Sequence, residues 1–537
     1  MNKLFTQLLE IRHFDENFLH PKYENLISPA VLNDMKKAVS RIKSAIENQE
    51  KVLIYGDYDV DGVTSSTLMS EALTLSGLPP ENIEIMLPDR FKDGYGLSPR
   101  LIDHAVKTGK SLVITVDCGS RNHDIVKSLN QNHIDTIITD HHECEDTLPD
   151  AMAIINPKRH DYAGPATLKD LAGVGVAFKL AEALKDAGLI KPGQEKWLLD
   201  LVLLGTICDQ MTLTGENRIL CFYGTKVLEK TRRPGLRELM RVAGVRNINS
   251  EAIGFQLGPR LNAAGRLESA NLSLDLLRAE SSAEAASLAM RLEELNSRRR
   301  KEQTAATADL ATRSLASTPV IVEAGDWHEG ILGIIAGRLV EDYHKPAFVL
   351  AKTEDGFYKG SGRSFGDFSL AEALSAVKDT ILGGGGHAAA AGVKVAAENL
   401  DDFKTRINEY YQSLHLPDQS KYLKTHADLT IDNLKDFTLD LLEDLKLLEP
   451  FGPGNEEPVF CLRHADILES TRMGAGKNHL RLDLRDTNKK TIKSVAFFAP
   501  KDWFIIDPDS PHDFLLKPIE NEWNGTRSLE ARLIDII

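Results

Sequence analysis

Val52-Leu53-Ile54-Tyr55-Gly56-Asp57-Tyr58-Asp59-Val60-Asp61-Gly62 runs from a short apolar stretch straight into three carboxylates at alternate positions. The apolar part reads as a buried strand. Three like charges this close are costly to bury unless cations neutralise them, and hard divalent ions favour oxygen ligands. Taken alone, the stretch also fits a solvated Asp-rich turn. An EF-hand loop begins Asp-x-Asp-x-Asp-Gly but needs Glu at its twelfth position. Counted from Asp57 that position is Leu68, and a strand rather than a helix precedes it, so a calcium loop is excluded.

Outward from this stretch, residues 51–155 alternate strand and helix. Strands are expected at 52–56, 83–87, 111–116, 135–139 and 152–155, with helices near 62–76, 98–108 and 121–132. The alternation predicts an α/β fold with a doubly wound parallel sheet, whose ligands bind beyond the carboxyl ends of the strands. Three such ends carry polar chemistry: Asp57, Asp59 and Asp61 after the first, Asp117-Cys118-Gly119 after the third, and Asp140-His141-His142 after the fourth. Each group alone fits a capping or satisfied polar residue; their shared place at strand ends favours one site. Further on, the apolar helix over 197–207 ends at Cys208-Asp209. A carboxylate there opposes the helix dipole, which a metal ion, Arg218 or simple exposure would relieve.

Size and composition agree with a multidomain globular protein. At roughly one domain per 150 residues, 537 residues suggest three or four. Hydrophobic content of 42% and charged content of 27% are ordinary. No apolar run reaches about 18 residues, so no membrane span is expected. The start, MNKLFTQLLEIRHFDENF, has early acidic residues and no secretory core. Five cysteines without a C-x-x-C pair argue against a disulfide frame or zinc knuckle, and a cytoplasmic protein is expected. The net charge of −15 is the wrong sign for nonspecific coating of nucleic acid, although a local basic groove is compatible with it.

GDYDVDG, DCGS, Asp140-His141-His142 and an Asp ahead of TLTGENR together resemble the DHH phosphoesterase superfamily. GPRLNAAGR (258–266), WHEGILGIIAGRL (327–339), GSGRS (360–364) and GGGGHAAAAG (383–392) are similar to its RecJ-type single-strand exonuclease branch. The resemblance implies two divalent cations, Mn2+ or Mg2+. Asp57, Asp59 and Asp117 would hold one; Asp61, Asp117, His141 and Asp209 would hold the other, with Asp117 bridging. It also implies that Asp140 orients the neighbouring imidazole, that His142 faces the scissile phosphate, that Arg90 binds phosphate near a 5′ end, and that the segment with Arg260, Asn262 and Arg266 contacts nucleic acid. Bidentate arginine on phosphate is the physical rationale. A surface arginine is the alternative for Arg90.

The remaining chain divides by pattern. Residues 1–50 read as a helical lead-in with Leu32, Met35, Ala38, Val39, Ile42 and Ile46 on one buried face. The DHH domain is expected over 51–270. Residues 271–317 form a connecting helix, on which Arg298-Arg299-Arg300-Lys301 is a basic knot, read mainly as a solvated face. A second α/β lobe, DHHA1 by resemblance, is expected over 318–415. Its Gly383-Gly384-Gly385-Gly386-His387 run predicts a backbone nest for an anion, with Arg363 beside Ser361 and His387 adding charge; a flexible turn is the alternative. Five short β-like runs over 421–537 suit an OB-like barrel that tracks a single strand, with Phe497, Phe498, Lys477, His479 and Arg481 as candidates.

The expected function is a metal-dependent single-strand-specific 5′-to-3′ DNA exonuclease that releases mononucleotides in repair and recombination. Single-stranded DNA is the partner, with a helicase and a single-strand-binding protein as further ones, and a monomer is expected. The competing readings are a DHH phosphodiesterase for short oligoribonucleotides, nucleotide bisphosphates or cyclic dinucleotides, and a non-catalytic binding relative.

Overall fold

The computed structural model describes residues 1–537 apart from 95, 354, 475, 508, 509 and 524. Its first sheet is parallel throughout. Strands β1 (Val52–Tyr55), β2 (Ile83–Met86), β3 (Leu112–Val116), β4 (Asp135–Thr139) and β5 (Ala153–Ile155) lie in the order β2-β1-β3-β4-β5. Every residue of β1 and β3 is buried, which is why they read as unbroken apolar runs rather than alternating ones. The chain leaves β1 toward one side and β3 toward the other, so the crevice of this sheet opens between their carboxyl ends.

The helix after β1, Val60–Leu75, is buried nearly all round although it carries Thr64, Ser65, Ser66, Thr67 and Ser70. Three hydroxyls return bonds to carbonyls one turn back: Thr64 to Val60 (2.7 Å), Ser66 to Gly62 (2.7 Å) and Thr67 to Val63 (2.9 Å). Hydroxyls satisfied in this way add little polarity to a core helix.

A helical array follows, including Gly173–Asp186, Leu199–Cys208, Gly215–Leu228 and Gly258–Leu267, the last entered through a π-helical turn at Ala252–Leu257. The connecting helix is Ser282–Leu310, 29 residues, started by the Ser281 hydroxyl accepting from Glu284 N. At 1.5 Å per residue it spans roughly 43 Å.

The second sheet has the order β6-β7-β8-β10-β9, from β6 (Ile321–Gly325), β7 (Ala347–Lys352), β8 (Phe357–Arg363), β9 (Gly383–Gly386) and β10 (Ala390–Ala396). Only β6 and β7 run parallel. Strands β8 to β10 did not stand out in the sequence because glycines replace the side chains that mark a strand. At Gly362 the reason is close approach: a Cβ there would lie 2.6 Å from the Phe348 ring. The four-glycine run is likewise not a nest. It is an exposed edge strand, paired antiparallel from Gly383↔Lys394 to Gly386↔Ala391.

The third sheet comprises β11 (Leu429–Ile431), β12 (Phe460–Met473), β13 (His479–Arg485), β14 (Thr491–Ala496), β15 (His512–Trp523) and β16 (Thr526–Ile536). The order is β11-β12-β13-β14-β16-β15, and β15 returns to pair with β12, closing a barrel. Its core also takes in the N-terminal helix Lys3–Arg12: Leu4, Phe5 and Leu8 are buried with Leu441, Phe460 and Phe514. Arg12 Nε bonds Asp428 at 2.7 Å. The helical lead-in thus has two destinations, since Met35, Ala38, Ile42 and Ala45 pack on the first sheet instead. A hydrophobic stripe shows that a helix buries a face, not what covers it. Among the described residues no helix is long and apolar enough to cross a membrane.

Candidate active site

The carboxyl ends of β1, β3 and β4 bring the acidic motifs together, and the Leu199–Cys208 helix adds Asp209 from its own end. His141 Nε2 lies 3.1 Å from Asp117 Oδ1, 3.6 Å from Asp209 Oδ2 and 3.8 Å from Asp61 Oδ2. Three sets of ligand atoms fall within 4.8 Å of one another: Asp57, Asp59 and Asp117; Asp61, His141 and Asp209; Asp117, His141 and His142. Asp57, Asp61, Asp117, Asp140 and His141 are buried.

Local bonds explain how each side chain is aimed. Asp59 caps the Val60–Leu75 helix, accepting from Gly62 N at 3.0 Å. Asp61 accepts from Gly173 N (2.7 Å) and Val174 N (2.9 Å), the first amides of the Gly173–Asp186 helix, where the dipole favours a negative charge. Asp117 sits in the left-handed region at φ +61°, a sparsely populated conformation of a kind that gathers at functional sites. Asp140 accepts from Ser120 N (3.0 Å), His141 N (2.8 Å) and His142 Nδ1 (2.8 Å). It buttresses His142 and leaves His141 to the acidic cluster.

Burial and mutual repulsion dominate the electrostatics. Burial first, then Asp59, pushes Asp57 up to about 8 and Asp61 up to about 7. Burial with Asp61 and Asp59 takes Asp209 up to about 8. Asp117, buried among four other carboxylates, is pushed well above the usual range. Burial, with His142 beside it, pushes His141 down to about 3, so its ring is neutral and able to act as a ligand. For Asp140 and His142 burial opposes the charged forms, but their hydrogen bond prevails, lowering the acid and raising the imidazole.

These residues fit divalent cations. Among the described residues no lysine or arginine forms an ion pair with Asp57, Asp61, Asp117 or Asp209, and the buried Asp117 Oδ1 makes no hydrogen bond. Arg218 does not relieve Asp209; it donates instead to the carbonyls of Phe18, Leu447, Leu448 and Glu449.

Beside the carboxylates lies a group of arginines, with Arg90 near enough to Asp57, and Arg266 to Asp59, for their charges to interact. Arg90 stacks over the Tyr58 ring at 5.0 Å. Arg266 donates to Gly330 O at 3.3 Å, and Arg363 donates to Ser361 Oγ at 3.1 Å and Gly362 O at 2.8 Å. Burial, with Arg90, Arg299 and Arg363 around it, brings Arg266 down to about 9; burial and Arg90 lower Arg363. Arg299 is the member the sequence did not single out, since nothing in a run of four basic residues distinguishes the one that turns inward. Arg260 is engaged internally, with Glu293 at 2.5 Å and Gln256 O at 2.7 Å, while Asn262 is half-buried on the same helix. His387 is exposed at the turn after β9. Its pKa is lowered by partial burial, then by Arg121 and His142 across from it. The lobes touch where Phe91 meets His328 edge-on, with ring centroids 5.6 Å apart.

One close approach tests this geometry. A Cβ on Gly173 would lie 2.6 Å from Asp117 Cβ and Oδ1. Gly173→Ala is therefore expected to displace Asp117 and reduce Mn2+-dependent hydrolysis by roughly ten- to a hundredfold, with far-UV circular dichroism unchanged. Full activity in a folded variant would show that the spacing has slack.

The model of the DHH family N-terminal domain matches residues 51–206, the DHHA1 domain residues 317–413 and the RecJ OB domain residues 428–535. The chain is 37% identical over 544 residues to the single-stranded-DNA-specific exonuclease RecJ of Bacillus subtilis, covering 99% of this chain and 67% of that one. It is 32% identical over 562 residues to the Haemophilus influenzae protein of the same name, covering 99% and 96%. The crystal structure of RecJ with Mn2+ from Thermus thermophilus superposes with a TM-score of 0.85 at 28% identity, covering 100% of this chain and 76% of that one. Its Mg2+ complex gives 0.79 at 26% identity, covering 100% and 74%.

Proposed function

We infer the activity from a premise the relatives supply: the chain belongs to the RecJ family of single-stranded-DNA-specific exonucleases. It is a metal-dependent nuclease that hydrolyses phosphodiester bonds in single-stranded DNA. The observation that carries this reading is the meeting of buried carboxylates and a neutral His141 at the β1/β3 crevice, with no lysine or arginine paired to Asp57, Asp61, Asp117 or Asp209 among the described residues. In our assignment Asp57, Asp59 and Asp117 hold one divalent ion; Asp61, Asp117, His141 and Asp209 hold the other. Bound there, Mn2+ or Mg2+ supplies Lewis acidity for in-line displacement at phosphorus.

The protein's own residues bind and orient. Asp140 fixes the His142 ring and favours its charged form, so His142 presents positive charge to the scissile phosphate. Arg90, Arg266 and Arg363 grip a terminal phosphate, and that grip sets 5′-to-3′ polarity and release of mononucleotides. Ser361 holds the Arg363 guanidinium. Gly385 and Gly386 let the β9 edge approach the backbone of the strand, with His387 adding a polar contact. Asn262 borders the path, and we assign Arg260 to supporting that helix. On the barrel Phe497 and Phe498 are 58% and 75% exposed, each meeting the His479 ring edge-on; such aromatics suit base stacking. The local basic wall serves a strand despite the negative net charge. A cytoplasmic monomer acting in repair and recombination, supplied by a helicase and meeting single-strand-binding protein, is the setting this reading implies.

Hydrolysis of labelled single strands against duplexes, with and without Mn2+, tests the activity. The phosphate grip has its own test. Arg363→Ala is expected to raise KM for a 5′-phosphorylated oligonucleotide by roughly ten- to a hundredfold, the worth of a charge-assisted bond. The 5′-hydroxyl substrate should change little. Equal losses on both substrates would remove Arg363 from the terminal-phosphate role.

A further inference from the structure

Arg218 is among the largest fully buried side chains of the protein. It has no carboxylate partner among the described ion pairs, and burial brings its pKa down to about 10. Among the described residues its hydrogen bonds all go to backbone carbonyls: Phe18 at 3.1 Å, Leu447 at 2.9 Å, Leu448 at 2.8 Å and Glu449 at 2.6 Å. The last three lie in the segment that connects β11 to β12 of the barrel. Asn455, also buried, closes the same loop with bonds to Leu448 O (2.7 Å) and Pro450 O (3.0 Å).

This loop touches the chain just after Asp209. Gln210 has φ +55°, so the turn out of the helix is not a relaxed one. Three residues further, Leu213 N donates to Pro453 O at 2.7 Å. A Cβ on Gly454 would lie 2.7 Å from Thr212 Cγ2, and one on Gly452 2.7 Å from Leu213 Cδ1. Asn217 holds the other side of the segment through Thr212 O (3.0 Å) and Asp170 O (2.6 Å). Simple adhesion between domains is achieved at lower cost by apolar packing than by a buried guanidinium. Directed bonds, by contrast, fix position, and what they fix here is the segment that begins at Asp209.

We propose that the 447–455 loop, clasped by Arg218, is a positioning element for Asp209, so that the seating of the barrel sets the geometry of the Asp61, His141 and Asp209 cluster. Arg218 acts through that segment and touches no reacting atom. The inference rests on the assignment of Asp209 as a metal ligand.

Mn2+ binding to the full-length protein, followed by the electron paramagnetic resonance of free Mn2+, tests it without reference to turnover. Gly454→Ala and Arg218→Ala are expected to weaken binding of one Mn2+ by roughly tenfold, as expected for groups that orient a ligand. Arg218→Lys, which keeps the charge but not the fork, should fall between wild type and Arg218→Ala. Arg527→Ala, which removes pairs to Glu443 and Glu520 elsewhere on the barrel, should leave Mn2+ binding unchanged. Asp209→Asn separates the two levels. If it weakens Mn2+ binding while folded Gly454→Ala and Arg218→Lys bind normally, the positioning role is overturned and the site assignment stands. If Asp209→Asn itself binds normally, the ligand assignment fails, and the positioning role fails with it.

Discussion

Asp117→Asn is expected to lower Mn2+-dependent hydrolysis by roughly a thousandfold, the scale of losing a central electrostatic group from a preorganised site. Among the described residues Asp117 is the only one whose ligand atoms reach both the Asp57–Asp59 pair and the two histidines, so its loss would disturb both of the proposed ion sites. The same substitution should raise the melting temperature of the EDTA-treated protein. Asp117 is buried among four carboxylates that oppose its charge, and an amide of the same shape removes that repulsion. Calorimetry in EDTA and a gel assay with Mn2+ check the two halves. An unfolded variant would contradict the stability half, and a folded one that keeps activity within tenfold would contradict the bridging role.

The second large effect is on stability against pH. Asp57, Asp61, Asp117 and Asp209 all have folded pKa values raised above the unfolded carboxylate value. A raised acid binds its proton more tightly in the folded state, so its contribution is present at low pH and lost as pH rises through the folded pKa. His142, also raised, acts in the same direction. His141 acts oppositely: its depressed pKa costs stability as pH falls from about 6.5 toward 3. Asp140, depressed as well, matters only below the ordinary carboxylate range. The informative window is therefore about pH 6.5–8.5, where His141 is neutral in the folded state, sheds its remaining unfolded-state proton near the lower edge, and the acidic cluster is losing its protons. In EDTA the transition of the first domain should fall by roughly 5–10 °C across that window, given the few kcal/mol involved. Mn2+ should restore it, by more at pH 8.5 than at pH 6.5. A flat profile in EDTA would mean that the carboxylates find another way to shed their charge.

How much of this is legible in the sequence depends on where side chains carry the signal. β1, β3 and β4 are plain because parallel strands buried on both faces leave apolar runs, and each ends on a polar motif at the edge where such sheets bind ligands. The convergence of Asp57, Asp59, Asp61, Asp117 and His141 follows from that placement, whereas Asp209 arrives from the end of a helix and its place in the cluster is implied by the family resemblance alone. β8 to β10 are silent because glycine stands where neighbouring aromatic rings and backbone press close, as at Gly362. Glycine alone does not tell an edge strand from a nest, and the 383–386 run proves to be the former. Arg260 and Arg299 show a second limit. Both lie in basic contexts that suit phosphate, yet Arg260 is turned to Glu293 while Arg299 turns to the arginine wall. Only the packing of the two helices that carry them decides which is which.

The N-terminal helix has a consequence for how the protein is made. Leu4, Phe5 and Leu8 are completed by strands between Phe460 and Ile536, nearly the whole chain away. At a synthesis rate of about 5–20 residues per second, the ribosome takes roughly half a minute or more to deliver the partners of the first helix. During that interval an apolar face waits in solvent for partners that have yet to be made.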